Sequence, residues 1–214
     1  MGEVSGGLIG VLLAGGLSRR MGGGDKSLLT LRGKTILQRT IDRITPQVSG
    51  LVLNANGSPS RFKKYGLPVV ADLIHGNLGP LVGILSGMEW CKRHSPESEW
   101  LVTLPTDAPF LPVNMVSEMV EQVSVDGSDV ACAASNSRTH PPFAIWRNSL
   151  SVDLRKAITV EGIRKIDAWT DRHAVSHVDF TVKGFDPFFN INHPKDLKEA
   201  RNILDKFPEL ENEE

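Results

Sequence analysis

The chain has 214 residues, a length that fits one α/β domain or one domain with a small appendage. Hydrophobic residues make up 40% and charged residues 23%, which is ordinary for a globular protein with a sizeable core. The formal net charge of -1 excludes a global basic field for a nucleic-acid backbone, so any anion site must be local. No apolar run approaches the ~18 residues of a membrane span.

The first half of the chain alternates apolar strands with amphipathic helices. In chain order the prediction is a strand at 8–13, a helix at 35–45, a strand at 51–55, a short helix or turn at 58–66, a strand at 67–71, a helix at 79–93, a strand at 100–104, a helix at 112–123 and a strand at 130–134. This alternation predicts a single-domain Rossmann-like three-layer sandwich, with a mostly parallel sheet and helices on both faces.

The second half is less regular. We predict an antiparallel returning strand at 143–146, helices at 150–158 and 162–170, a strand at 174–179, and a final helix that Pro194 opens with Asn192 or His193 as its cap. Residues 1–206 are therefore expected to form one domain, and the acidic residues 207–214 a disordered tail.

Two cysteines, Cys91 and Cys132, stand in apolar surroundings without metal-ligand spacing. We interpret both as buried free thiols, the state expected in a reducing cytosol. The N-terminus lacks the basic region of a signal peptide. The sequence therefore predicts a cytoplasmic protein that binds neither nucleic acid nor a membrane.

Polar and glycine residues follow the predicted parallel strands. Ala14 and Gly15 come after the first strand, Asn54 ends the second, Asp72 follows the third, and Asp107 follows the fourth. Ligands of open α/β sheets bind beyond the carboxyl ends of the strands. We therefore expect these residues to line one crevice, although each acid or amide alone could serve only as a turn or strand-end residue.

The glycine-rich stretch at residues 13–26 (LAGGLSRRMGGGDK) directly follows the first strand. Its glycines let backbone N–H groups converge on an anion, and Arg19, Arg20 and Lys26 add positive charge. We interpret it as a phosphate-binding loop; the alternative is a flexible surface loop. The dinucleotide motif G-x-G-x-x-G fails here, and the P-loop motif is broken because Asp25 precedes the lysine. A P-loop phosphotransferase is therefore the alternative function that this stretch leaves open.

The pattern L-A-G-G-x-S-x-R-M-G-x-x-D-K, with one extra residue in the glycine run, resembles the signature of nucleotidyltransferases that build activated sugars and pterin cofactors. Further stretches agree in order and spacing: LVLNAN, GPLVGI, PTDAPFLP, the HP at 140–141, and FFNINHPKDLKEAR. Together they are most similar to the molybdenum cofactor guanylyltransferases. The chain departs from that family's pattern at Pro142 and His193, where threonine is common.

The resemblance implies a reaction in which GTP and molybdenum-bound molybdopterin give the guanine dinucleotide cofactor and pyrophosphate, with Mg²⁺ as cofactor. It implies backbone contacts from Leu13, Ala14 and Gly15 to the base and ribose, and contacts from Asn54 and Asp72 to the guanosine.

It also implies that Arg19 and Lys26 hold the triphosphate, that Asp107 coordinates Mg²⁺, and that His140, Asn190 and Asn192 lie on the pterin side. Asn192 has a second interpretation, as the cap of the last helix.

Three other functions stay open from the sequence. The first is a cytidylyl- or sugar-nucleotidyltransferase of the same fold, and the second is a GTP-binding adaptor without catalysis. The third is the P-loop phosphotransferase. Transient contact with proteins that deliver or receive the labile pterin is also left open.

Overall fold

The computed structural model describes residues 7–14, 26–76 and 78–212. In these ranges the strands are β1 (Leu8–Leu13), β2 (Thr30–Leu31), β3 (Lys34–Thr35), β4 (Gly50–Asn54), β5 (Val69–Val70), β6 (Trp100–Pro105), β7 (Val130–Ser135), β8 (Arg138–Arg147) and β9 (Val175–Asp179). The helices are α1 (Ile36–Ile44), α2 (Pro80–His94), α3 (Met115–Asp126), α4 (Ser151–Thr159), α5 (Ile166–Thr170), α6 (Pro194–Lys206) and α7 (Glu209–Asn212). Of these helices, none has the length and apolar character needed to cross a bilayer.

Seven strands form one sheet in the order β5-β4-β1-β6-β8-β7-β9. Strand β1 is parallel to β4 and β6, β4 to β5, and β7 to β9, whereas β8 is antiparallel to both of its neighbours. The parallel strands therefore end at the same edge of the sheet, which we call the carboxyl edge. The mostly parallel α/β fold predicted from the sequence is confirmed.

The reversal between β7 and β8 has a local cause. Asn136 and Ser137 have φ angles of 49° and 62° and connect the two strands directly. Two successive residues with positive φ are typical of the tight turn that suits the twist of a β-hairpin. The antiparallel strand predicted at 143–146 therefore exists, and it extends back to the turn at Arg138.

Alternate residues of the buried strands face opposite sides of the sheet. In β1, Leu8 and Leu12 pack with helices α1 and α3, while Ile9 and Val11 pack with α2, α4 and α5. Both faces of the strand are apolar, as a parallel sheet covered on both sides requires. The helices thus form the two outer layers of the predicted sandwich.

Several elements differ from the sequence prediction. Gly162 has φ 69°, and the helix predicted at 162–170 begins only at Ile166. The strand predicted at 67–71 is reduced to Val69–Val70. The antiparallel pair β2 and β3 was not predicted, because two-residue strands carry no readable periodicity.

Residues 207–214 were predicted to form a disordered tail, but the structure shows that residues 207–212 are ordered. Glu209–Asn212 form α7, and Leu210 packs against the cluster that covers α6. The Glu211 carboxylate accepts hydrogen bonds from the buried Arg39 guanidinium at 3.0 and 3.3 Å. The acidic character of this segment therefore neutralises a buried cation on α1, a long-range pairing that composition does not reveal.

Candidate active site

Residues predicted at the strand ends lie together at the carboxyl edge. Leu13 ends β1 and is the register partner of Asn54, which ends β4. The Ala14 N–H donates to the Asn54 carbonyl at 2.9 Å, which extends the pairing one residue beyond the strand. Gly15 and Arg19, also predicted to contact the nucleotide, lie outside the described residues.

Asn54 and Asp72 form one hydrogen-bonded cluster with Asn56. The Asn54 amide donates to one oxygen of the Asp72 carboxylate at 3.0 Å, and the Asn56 amide donates to the other at 2.7 Å. The Asn56 side-chain oxygen accepts from the Asp72 backbone N–H at 3.0 Å. The sequence interpretation missed Asn56, although the pattern N-x-N at the strand end signals it. The cluster holds both predicted side chains rigidly beside the end of β1.

Asp107 and Lys26 lie on the other side of β1, next to the segment that precedes α6. The Lys26 ammonium donates to the Asn192 side-chain oxygen at 2.9 Å. The Ile191 N–H donates to the Asp107 carbonyl at 2.9 Å, which holds Asn190 and Asn192 beside that aspartate. The structure thus brings together three segments that are far apart in the sequence.

Burial sets the electrostatics of this group. Burial raises the pKa of the Asp107 carboxyl above its ordinary value, and the nearby Lys26 charge partly opposes that rise. The Asp107 Oδ1 and Asn190 Oδ1 atoms are buried, and neither has a hydrogen-bond partner among the described residues. Unpaired buried oxygens cost free energy, so both atoms are suited to a ligand that supplies positive charge or protons.

A divalent cation fits this donor set. Carboxylate and amide oxygens are the ligands that Mg²⁺ prefers, and Mg²⁺ usually takes few protein ligands together with phosphate oxygens and water. In the described ranges no three His, Cys, Asp or Glu side chains cluster in a way that could hold a metal ion. Asp107 with substrate phosphates therefore suits a metal that arrives with its nucleotide.

His140 lies farther along the same edge, at the start of β8. It is 7% exposed, its Nε2 lies 2.7 Å from the Ser135 hydroxyl, and its ring is 4.7 Å from the Phe188 ring. Burial lowers the pKa of His140 below its ordinary value. Ser135 and Phe188 were not singled out from the sequence, since neither residue type signals a site alone.

Asn192 does not cap α6, which settles one alternative from the sequence. His193 occupies the N-cap position and forms a capping box with Asp196. The Asn192 side chain is therefore available to Lys26.

Cys91 and Cys132 are buried free thiols, as predicted, and burial raises the pKa of each to about 12.

A mostly parallel α/β sheet with amide and carboxylate side chains gathered at its carboxyl edge is typical of nucleotide-binding enzymes. Residues 10–176 match the MobA-like NTP transferase domain. A molybdenum cofactor guanylyltransferase of Rhodopseudomonas palustris (strain BisB5) is 47% identical over 193 residues, which cover 90% of this chain and 92% of that protein. The chain belongs to the molybdenum cofactor guanylyltransferase family and is a nucleotidyltransferase.

Solved structures agree in fold. Molybdopterin-guanine dinucleotide biosynthesis protein A from Archaeoglobus fulgidus superposes with a TM-score of 0.73 and 27% identity, covering 93% of this chain and 99% of that one. A Mycobacterium tuberculosis H37Rv protein, solved in complex with manganese, superposes with a TM-score of 0.67 and 19% identity, covering 91% and 98% of the two chains. The second similarity concerns the fold alone.

Proposed function

We propose that this protein transfers GMP from GTP to the terminal phosphate of molybdenum-bound molybdopterin, giving the guanine dinucleotide cofactor and pyrophosphate. An oxygen of the acceptor phosphate bonds to the α-phosphorus of GTP, and the bond from that phosphorus to the oxygen bridging it to the β-phosphorus breaks. The attacking oxygen is already an anion, so the reaction requires no general base. Catalysis then consists of positioning and charge neutralisation.

The observation that carries the proposal is the cluster of Lys26, Asp107 and Asn192 at the carboxyl edge. It combines a cation, a buried carboxylate with an unpaired oxygen and an amide, close to the end of β1. Such a set suits the developing charge of a phosphoryl-type transfer. We propose that Lys26 and Arg19 hold the triphosphate and the leaving pyrophosphate.

Mg²⁺ would be held by Asp107 together with phosphate oxygens, and it would neutralise negative charge where pyrophosphate leaves. The buried position of Asp107 supports this role, because burial disfavours a carboxylate without a cation beside it. The protein's own contribution is to keep that carboxylate beside Lys26 before substrate binds.

The nucleoside would bind on the side of β1 that is opposite to Asp107 and Lys26. We propose that backbone groups of Leu13, Ala14 and Gly15 contact the base and ribose, and that Asn54 and Asp72 contact the guanosine. The hydrogen bond between Asn54 and Asp72 supports this assignment, because it fixes both side chains before the nucleotide arrives.

We place the reaction in the cytoplasm. The acceptor would bind on the side of the site that contains His140, Asn190 and Asn192. The unpaired Asn190 oxygen supports the assignment, since a pterin ring carries several N–H donors. Transient contact with a protein that receives the labile product is part of this proposal.

Pyrophosphate release by the purified chain tests the proposal. The reaction contains Mg²⁺, molybdenum-bound molybdopterin and GTP, with CTP or UTP in parallel reactions, and the dinucleotide is identified by mass. We expect release with GTP, and a loss on the order of 10²–10³ in rate for Lys26→Ala and Asp107→Asn because each removes a charge contact. Asp129→Asn is the matched control, because Asp129 pairs with Arg147 at the opposite edge of the sheet.

Each other outcome points to another function. Activity with CTP but not GTP would identify a cytidylyltransferase. GTP binding without pyrophosphate release would favour an adaptor, and release of the γ-phosphate would favour a phosphotransferase. Full activity in Asp107→Asn would remove that residue from the metal site.

A further inference from the structure

A partly buried chain of hydrogen bonds joins strands β7 and β8 to the segment before α6. The Ser135 hydroxyl donates to the Asp186 carboxylate at 2.8 Å, and the Ser135 oxygen lies 2.7 Å from the His140 Nε2. The same Asp186 oxygen accepts from the Phe188 N–H at 2.9 Å. Ser135 has no exposed surface, so its hydroxyl depends on these partners.

The donor directions in this chain are determined by simple counting. A serine hydroxyl has one proton, and Ser135 gives it to the Asp186 carboxylate. The Ser135 oxygen can therefore only accept from His140, so the His140 Nε2 carries the hydrogen. This sets the tautomer of a neutral imidazole, and burial of the ring favours that neutral form by lowering the His140 pKa.

The chain of hydrogen bonds anchors the start of the segment 186–192. Phe188 is 2% exposed, and its ring lies 4.7 Å from the His140 ring, 5.0 Å from the Phe143 ring and 5.8 Å from the Phe180 ring. The other end of the segment is held where the Ile191 N–H donates to the Asp107 carbonyl. Along the chain, Asn190 lies between the two anchors, and its buried side-chain oxygen has no hydrogen-bond partner among the described residues.

We propose that Ser135, His140 and Asp186 are positioning residues that hold Asn190 and Asn192 against Asp107 and Lys26. The inference deepens the proposed function and rests on it, since it assigns the acceptor side of the same site. In this interpretation His140 acts through Ser135 and Phe188 and does not contact the acceptor. The acceptor then meets amide groups that are already in place, so the loss of one hydrogen bond in the chain displaces them from the acceptor.

The molecule contains a matched control for this idea. At the opposite edge of the same sheet, the Ser176 hydroxyl donates to Asp126 and lies 2.6 Å from the Ser128 hydroxyl. Ser176 is 8% exposed and lies in β9, the neighbour of β7. Both serines link the sheet to an aspartate, but only Ser135 is at the carboxyl edge.

The test compares Ser135→Ala, Asp186→Ala, their double variant, and the control Ser176→Ala. The measured quantities are kcat and KM for the acceptor at saturating GTP, the Kd for GTP, and the urea midpoint. Misplaced reactive groups cost up to about 100-fold in rate, so we expect kcat to fall roughly 10- to 100-fold in both single variants. The kcat of the double variant should fall no further than that of either single variant, because Ser135 and Asp186 act as a unit.

Two comparisons separate positioning from stability. The Kd for GTP should stay within about twofold of the wild-type value, because the proposed nucleoside contacts lie on the other side of β1 from Ser135. The Ser135→Thr variant keeps the hydroxyl and should recover most of the wild-type kcat. Ser176→Ala should lower the urea midpoint and leave kcat unchanged. Wild-type kcat in Ser135→Ala, or the same loss of kcat in Ser176→Ala, would overturn the proposal.

Amide exchange provides a measurement that does not depend on activity. The Phe188 and Ile191 amides should exchange faster in Ser135→Ala than in the wild type and should be unaffected in Ser176→Ala. Unchanged exchange would overturn the proposal even if the wild-type chain used another nucleotide. Inactivity of the wild type with every nucleotide would instead reject the proposed function alone.

Discussion

At the residue scale, a single glycine sets how closely α2 approaches the ends of β1 and β4. A Cβ added at Gly83 would lie 2.6 Å from the Asn54 side-chain oxygen and 2.8 Å from a Leu13 methyl group. Real Cβ atoms essentially never come this close, so one of the two neighbours would have to move. Asn54 has little room, because it is 2% exposed and hydrogen-bonded to Asp72.

We therefore expect Gly83→Ala to weaken GTP binding about tenfold, which is roughly 1.4 kcal/mol. Gly87→Ala is the matched control: its Cβ would meet Val11 at 2.6 Å and Leu101 at 3.0 Å, in the core and away from Asn54. Overpacking should destabilise both variants by about 1–3 kcal/mol, offset in part by the better helix propensity of alanine. Calorimetric titration and urea unfolding separate the two effects, and equal GTP affinity in both variants would contradict the expectation.

At the scale of elements, α1 is held by partners that come from distant parts of the chain. Its buried Arg39 donates to the Leu31 carbonyl at 2.8 and 3.1 Å and to Glu211 of α7. Its buried Arg43 donates to the Leu111 carbonyl at 2.9 Å. A buried guanidinium needs these acceptors, so the short helix α7 is part of the support for α1 and for the β2–β3 pair.

Glu211→Gln should destabilise the protein by about 1–3 kcal/mol, because it leaves Arg39 without its counter-charge. Glu209→Gln changes an exposed glutamate on the same short helix and should stay within about 0.5 kcal/mol of the wild type. Urea unfolding measures both. If the two variants were equally stable, α7 would not be supporting α1.

At the scale of the whole molecule, substrate binding and folding stability are linked through the carboxyl edge. Strands β1, β4 and β5, and the segments after them, supply the proposed nucleotide contacts, and the contacts exist only when the sheet is formed. A ligand that binds only the folded chain stabilises it by mass action, by about 2.7 kcal/mol at a free concentration of 100 times Kd.

GTP with Mg²⁺ should therefore raise the thermal midpoint, while CTP at the same concentration should have a smaller effect. In Asp107→Asn the shift should no longer depend on Mg²⁺, although the midpoint without ligand should stay close to that of the wild type. Differential scanning calorimetry with and without EDTA measures these shifts. If EDTA left the GTP-induced rise in the thermal midpoint of the wild type unchanged, that result would contradict a metal at Asp107.

The strand ends could be predicted because their signals are local. Apolar runs followed by Ala14, Asn54 or Asp107 indicate where a parallel strand stops, and family motifs identified the nucleotidyltransferase class. Ser135 and Asp186 could not be predicted as partners, because 51 residues separate them and neither stands in a recognisable motif. Their contact depends on the parallel pairing of β7 with β9, which places the segment that follows β9 beside the end of β7.

By itself, the sequence determined the alternation of strands and helices, the strand ends that carry the candidate site residues, and the family. Periodicity and turn chemistry act within a few residues, so they can be read along the chain. Only the tertiary structure decided that Lys26 contacts Asn192, that a buried Asp107 oxygen has no hydrogen-bond partner among the described residues, and that the acidic tail segment neutralises Arg39. Those features depend on burial and on hydrogen bonds between distant segments, which arise only when the sheet, its helices and the C-terminal segment pack together.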